Sequence, residues 1–279
     1  MPLSRFKRIG LAVTALIAVG GFVALRAAPN EDARAYYDEA QGYLKQQDLR
    51  SARVALLNAV KADPKWPNAL VAQAKVSLDL FDAASAQLSL ERAMDAGTPR
   101  ANIVHLLGQA YWMQGEHEKA EEALFDIGIP DANRAYAARI LGRVQMDKGD
   151  FVSAQTAFDE ALRLAPNDSM VWTDLARLRF VAADQKGAID AVDYALKLNG
   201  GNIRALEFRG GLMRSQFGIT ASLPWFERGL QINPMDVPLL EEYALTLGEA
   251  GRYKDMLAQA RKIISLDSAN PRAFYMQAV

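Results

Sequence analysis

From residue 33 onward the apolar positions fall at helical spacing and recur every 34 residues without an insertion, in blocks beginning at Ala33, Pro67, Ala101, Ala135, Ser169, Ile203, Val237 and Pro271. The eighth position of each block is small: Ala40, Ala74, Gly108, Gly142, Ala176, Gly210, Ala244 and Ala278. Small residues also dominate the twentieth position (Ala52, Ala86, Ala120, Ala154, Ala188, Ser222, then Met256) and the twenty-seventh (Ala59, Ala93, Ile127, Ala161, Ala195, Gly229, Ile263). Bulky apolar residues hold the fourth position, as in Tyr36, Leu70, Trp172 and Phe274. They also hold the twenty-fourth, as in Leu56, Leu90, Leu124, Phe158, Val192 and Phe226. Turn signals such as Gln114-Gly115, Lys148-Gly149-Asp150 and Ala250-Gly251 divide the blocks, and Asp63-Pro64, Ala165-Pro166 and Asn233-Pro234 close them. Each block therefore predicts two antiparallel helices whose backbones approach at the small columns while the large residues fill the space beside them. A pair this short cannot bury its own apolar face, so it must stack on its neighbours.

These columns resemble the tetratricopeptide repeat, a 34-residue helix pair with Trp, Leu-Gly, Tyr, Ala, Phe and Pro at set spacings. The block from Ala135 to Asp168 carries Leu141-Gly142, Ala154, Phe158, Ala161 and Pro166, and the next adds Trp172, Leu175-Ala176, Ala188 and Ala195. The resemblance covers residues 33–279 and implies an all-α, right-handed solenoid of seven stacked antiparallel helix pairs plus part of an eighth. Three departures stand out: Ala138 in a bulky column, Arg209 in a Leu column, and Pro224 inside a second helix, where a late start or a kink is expected. Pro271–Val279 supplies only the beginning of an eighth block, so the sequence reads as the N-terminal part of a longer protein.

Ahead of the repeats, residues 9–25 form an uncharged apolar run preceded by Arg5, Lys7 and Arg8 and followed by Arg26. That length fits a short membrane-spanning helix, and the residues after it make a poor cleavage site, so the segment reads as an uncleaved signal anchor. The excess of basic charge before it places the N-terminus inside and the repeats outside. The predicted organisation is a cytoplasmic basic tail (1–8), a transmembrane signal anchor (9–25), a short linker (26–32) and the solenoid (33–279). With the absence of cysteine, this points to a single-pass protein of a bacterial inner membrane whose solenoid lies in the periplasm.

Composition removes several classes of function. With 32 Lys+Arg against 33 Asp+Glu among 279 residues, the chain lacks the basic excess of a nucleic-acid binder. Zero cysteines exclude disulfides, thiolate nucleophiles and cysteine-held metal. There is no phosphate loop, no HExxH and no GxSxG, and neither His105 nor His117 has a second histidine at metal spacing. No cofactor and no catalytic residues are predicted, and the chain is read as a non-enzyme.

What remains is the groove. The resemblance implies that first helices line a concave face and contact ligand at a few set positions. Carried over, these give Asn102, His105, Gln109 and Trp112; Tyr136, Arg139 and Arg143; Arg177 and Phe180; and Arg204, Glu207 and Arg214. Arginines interleaved with aromatic side chains are typical of binding hot spots, and guanidinium groups suit carboxylates. The same arginines could instead be surface residues paired with Asp147, Glu207 and other acids. The two-carboxylate clamp of chaperone-binding relatives is not matched, because His105, Gln109 and Ile140 stand where it needs Lys and Asn. The expected function is a membrane-anchored scaffold that binds proteins or extended peptides bearing acidic groups, in secretion, polysaccharide export or envelope assembly. Two alternatives are a substrate-recruiting region of an enzyme whose catalytic domain follows, and a secreted binder released by cleavage.

Overall fold

The computed structural model describes residues 29–126 and 128–278, so the basic tail (1–8) and the apolar segment (9–25) lie outside the described residues. Fifteen α-helices follow one another, with no strand among the described residues. They are α1 (Glu31–Lys45), α2 (Leu49–Ala62), α3 (Pro67–Asp79), α4 (Ala83–Asp95), α5 (Arg100–Met113), α6 (His117–Leu124), α7 (Asp131–Asp147) and α8 (Phe151–Leu164). Then come α9 (Ser169–Val181), α10 (Gln185–Leu198), α11 (Ile203–Phe217), α12 (Leu223–Ile232), α13 (Val237–Glu249), α14 (Tyr253–Leu266) and α15 (Pro271–Ala278). Seven helix pairs and a single last helix result, as the 34-residue period predicts. No helix among the described residues is long and apolar enough to cross a membrane.

Within each pair the two helices meet where the eighth position faces the twenty-fourth. A Cβ built on Gly142 would lie 2.5 Å from the ring of Phe158, and one on Gly210 would lie 2.5 Å from the ring of Phe226. On Gly108 it would meet Leu124 at 2.6 Å. Where the eighth position is Ala, its opposite number is no larger than leucine: Leu56, Leu90, Val192 or Ala260. The last complete pair moves this exchange by one turn. There Ala244 has only Ala260 opposite it, and Met256 fills the space left by Gly248, whose added Cβ would sit 2.5 Å from the Met256 sulfur. The atypical Met256 is thus a swap of large and small between the two helices.

The turn inside each pair has a common construction. Gln47, Phe81, Gly115, Gly149, Ala183 and Gly251 all adopt positive φ at the fifteenth position. The next residue is Asp48, Asp82, Asp150 or Asp184 in four of the pairs, and each carboxylate accepts the backbone N–H three residues on, capping the second helix. The sixth pair departs from this. α11 runs on to Phe217, Gly218 takes the positive φ one residue late, and a 3-10 turn at Ile219–Ser222 leads into α12. Pro224 sits in the first turn of α12, where its missing N–H costs no helical hydrogen bond, so the expected late start is what occurs. Arg209, in its Leu column, lies over the Trp225 ring at 5.1 Å and pairs with Asp193 at 2.7 Å.

The third pair is shorter than the period suggests, because α6 ends at Leu124. Asp126 accepts the Gly128 N–H at 2.8 Å in a tight turn, and Pro130 disfavours helix in the residue before it. Ile129, only 4% exposed, fills the space where a longer helix would have packed, and α7 starts early, at Asp131.

First helices of successive pairs touch one another (α3–α5, α5–α7, α7–α9, α9–α11, α13–α15), whereas second helices make no comparable contact. The first helices therefore line the inside of the curve. The curve also brings its ends together: Arg50 of α2 donates to the Leu266 carbonyl at the end of α14. A cationic side chain on the free carbonyls of a helix C-terminus is favourable both as a hydrogen bond and toward the helix dipole.

Replacing Gly142 by Ala is expected to lower stability although it removes a helical glycine. Overpacking against a rigid ring costs about 1–3 kcal/mol, more than the roughly 1 kcal/mol gained in helix propensity. Phe158→Leu in the same chain should recover most of the loss, read as thermal midpoint and amide exchange in α7 and α8. For the end-to-end contact, Arg50→Glu sets a carboxylate against a carbonyl. Small-angle scattering should report a larger radius of gyration than wild type, and an unchanged radius would show that Arg50 does not hold the ends.

Candidate functional site

Four first helices, α5, α7, α9 and α11, build a recess of about 340 Å³ on the inner face, lined by Trp112, Arg143, Asp147, Asp174, Arg177, Phe180 and Phe208 among others. Helical spacing explains the convergence. Arg143 and Arg177 hold the same ninth position in adjacent blocks, and Phe180 lies one turn beyond Arg177. The Arg143 guanidinium stacks over the Trp112 ring at 4.3 Å, and Arg177 lies 5.1 Å over Phe208. Phe180 meets Phe208 edge-on at 5.9 Å, and the Trp112 indole N–H donates to Asp147 at 2.7 Å.

A network of contacts runs behind this recess. His105 packs edge-on against Tyr136 at 5.5 Å, and the Arg139 guanidinium lies over the same ring at 5.3 Å. Arg139 then pairs with Asp174 at 3.0 Å, and Arg143 approaches the other oxygen of that carboxylate at 3.4 Å. Asp174 is almost fully enclosed, its side chain 3% exposed, so its charge is balanced inside the protein. Burial pulls Arg143 below the ordinary arginine value; Asp174 opposes that shift while the neighbouring guanidinium groups of Arg139 and Arg177 add to it. Burial pushes the Tyr136 phenol up to about 12.

Two other recesses are larger. One of about 480 Å³ in the first pairs is lined by Tyr37, Lys75, Asp79, Thr98 and Asn102. The other, about 610 Å³, lies where the ends of the curve meet. In the latter the charged groups are already engaged: Arg50 with the Leu266 carbonyl, Arg53 with Asp82, and Glu241 and Asp267 with Asn270. The central recess is distinguished by aromatic rings beside guanidinium groups, not by size.

Comparison with known proteins agrees with this architecture. Residues 71–138 and 141–203 match the tetratricopeptide repeat. Those two segments carry tetratricopeptide repeats. It is 31% identical over 169 residues to cellulose synthase operon protein C of Xanthomonas axonopodis pv. citri, a match covering 57% of this chain but only 11% of that relative's length. It is 25% identical over 176 residues to type IV pilus assembly protein PilF of Pseudomonas aeruginosa, covering 62% of this chain and 69% of that one. A tetratricopeptide repeat protein of Parabacteroides merdae superposes with a TM-score of 0.58 over 89% of this chain and 98% of its own, at 14% identity, a likeness of fold alone.

Of the groove residues read from tetratricopeptide positions, the structure brings Trp112, Arg143, Arg177 and Phe180 into one recess. It places others elsewhere. His105 and Arg139 are 6% and 7% exposed, so they form the wall behind the recess instead of a ligand-facing surface. Tyr136 sits half-buried between them, and Gln109, also half-buried, donates to the Met113 sulfur at 3.7 Å. Asn102 belongs to the recess of the first pairs. Arg204 is held by Glu207 and Asp236, and Arg214 by Glu249. Burial pushes the Glu207 carboxyl up even though Arg204 and Arg177 oppose it.

Asp174 and Phe208 also line the recess, at positions where the resemblance implies no ligand contact. Both occupy the sixth position of their blocks, outside the set carried over from the family. A spacing in the sequence could have revealed Asp174. Trp112–Asp147, Arg139–Asp174 and Arg214–Glu249 are each 35 residues apart, one repeat plus one, which joins first helices of neighbouring pairs.

His105 carries the pH prediction of this region. Burial, with the charge of Lys75 adding to it, pulls the imidazole down to about 4, and its Nδ1 has no hydrogen-bond partner. The folded state therefore holds His105 neutral, and the unfolded state binds the extra proton between pH about 6.5 and 4. Stability from this group is complete above the unfolded value and is lost as pH falls through that window, by roughly 3 kcal/mol at most. Denaturant melts at pH 7 and pH 4 should show a smaller acid loss for His105→Phe than for wild type.

Proposed function

We propose that this protein is a non-catalytic interaction scaffold of a bacterial cell envelope, which holds an extended segment of a partner protein along its inner face. The observation that carries this reading is the recess built by four consecutive first helices, where Trp112, Phe180 and Phe208 lie beside Arg143 and Arg177. Aromatic and arginine side chains supply most of the binding energy in interfaces of this kind. The repeats are fixed by packing before a partner arrives, so ordering costs fall on the partner alone.

The envelope placement is supported by the uncharged run at residues 9–25 with its preceding basic residues. It is also supported by likeness to a protein named for type IV pilus assembly. In this reading residues 9–25 anchor the chain in the inner membrane and the repeats lie in the periplasm. Anchoring raises the effective concentration of the groove toward partners at the same membrane, so modest affinity suffices.

Two experiments test it. A photo-cross-linking residue at Phe180 should capture a discrete partner in cells, while the same residue at the exposed Val152 should not. Equal or absent capture at both positions would remove the groove as the binding surface. Protease added to spheroplasts should digest residues 33–279 and leave them intact in unopened cells; protection in spheroplasts would refute the outward orientation.

A further inference from the structure

One guanidinium of the central recess has no ion-paired carboxylate among the described residues. Three guanidinium groups, those of Arg139, Arg143 and Arg177, lie close enough together that Arg139 and Arg177 both depress Arg143. Two carboxylates act on Arg143. Asp174 is shared by Arg139 and Arg143, and Asp147 is taken by the Trp112 indole N–H. Glu207, the next acid, is bound to Arg204. Arg177 makes no ion pair and no hydrogen bond among the described residues: it lies over the face of Phe208, and the Glu207 carboxylate whose charge it senses is held by Arg204. Every other arginine expected in the groove has an acid within reach.

A half-buried guanidinium on an aromatic bed keeps its charge, since arginine does not deprotonate, and it gains when a carboxylate enters. The walls beside it are apolar: Phe180, Val181 and Met146 line the same recess. We infer that the recess takes a carboxylate side chain of a partner peptide on Arg177, with an adjoining apolar side chain seated against Phe180 and Phe208. This rests on the scaffold reading above and gives its groove a ligand chemistry. It is also a different site from the two-carboxylate clamp, whose Lys and Asn positions hold His105, Gln109 and Ile140 here.

The test uses the full chain and four end-blocked peptides: one built on Phe-Glu pairs, one with Gln for Glu, one with phosphoserine for Glu, and one with Ser for Phe. Calorimetric titration should rank Phe-Glu first, about tenfold or more above Phe-Gln and above the Ser version. Arg177→Gln should erase the preference for Glu over Gln. It breaks no ion pair, so its melting temperature should stay close to wild type. Arg214→Gln, whose arginine already has an acid, should keep the preference within about twofold. Equal binding of Phe-Glu and Phe-Gln by wild type, retention of the preference by Arg177→Gln, or no binding of any peptide would each overturn the inference. Tighter binding of the phosphoserine peptide would overturn the choice of a carboxylate. Equal binding of Phe-Glu and Phe-Gln with cross-linking at Phe180 intact would leave the scaffold standing and remove only the anion site.

Discussion

The structure depends on one repeated contact, that between the side chain at the twenty-fourth position of a block and the small residue at the eighth. It fixes how near the two helices of a pair can come. The exchange is volumetric: a phenylalanine ring at Phe158 or Phe226 requires glycine at Gly142 or Gly210, whereas Leu56, Leu90 and Val192 leave room for alanine. Because every pair solves the same problem locally, no central core is needed. Apolar clusters instead follow one another along the chain, each made from residues of neighbouring pairs. Close packing of this kind transmits position from one pair to the next, so the placement of Arg143 relative to Arg177 follows from helix contacts some distance behind them.

A second, polar set of ties runs over this packing on the inner face. Trp112–Asp147, Arg139–Asp174 and Arg214–Glu249 each join one first helix to the next. They consume charges that composition alone would have assigned to a ligand. Near-neutrality of the whole chain and a locally cationic recess are therefore compatible. What matters is which acid each arginine pairs with, and Arg177 pairs with none among the described residues.

The period, the small columns, the seven pairs and the late start at Pro224 could all be read from the sequence, because each depends on contacts within one block. Features that depend on contacts between blocks could not be read so directly. Ligand-facing positions carried over from the resemblance fall on the helices that line the recess. They do not tell Arg143, which borders the recess, from Arg139, which Asp174 draws into the wall. Asp174 and Phe208 share a sixth position that ordinarily faces the neighbouring pair, and only the 35-residue spacing hints at the former. The early end of α6 came from a local competitor to the period, the Asp126 turn ahead of Pro130. The meeting of Arg50 with Leu266 sums small rotations over six pairs, a quantity that no single block contains.

That meeting bears on how the inner face is used. With α2 against the end of α14, the first helices enclose the groove on a curve whose ends touch, and a partner segment must lie along the curve or enter by parting the ends. The seam that would part holds the Arg50 hydrogen bond and recesses lined by Leu80 and Phe81 on one side and Asn233, Met235 and Val237 on the other, whereas the eighth-position contacts leave no room for one added carbon at Gly142 or Gly210. Opening at the ends therefore costs less than distortion at the eighth-position contacts. The central recess lies away from that junction, among the closely packed middle pairs. Loose packing at the seam and close packing at the eighth-position contacts together assign any opening of the curve to its ends.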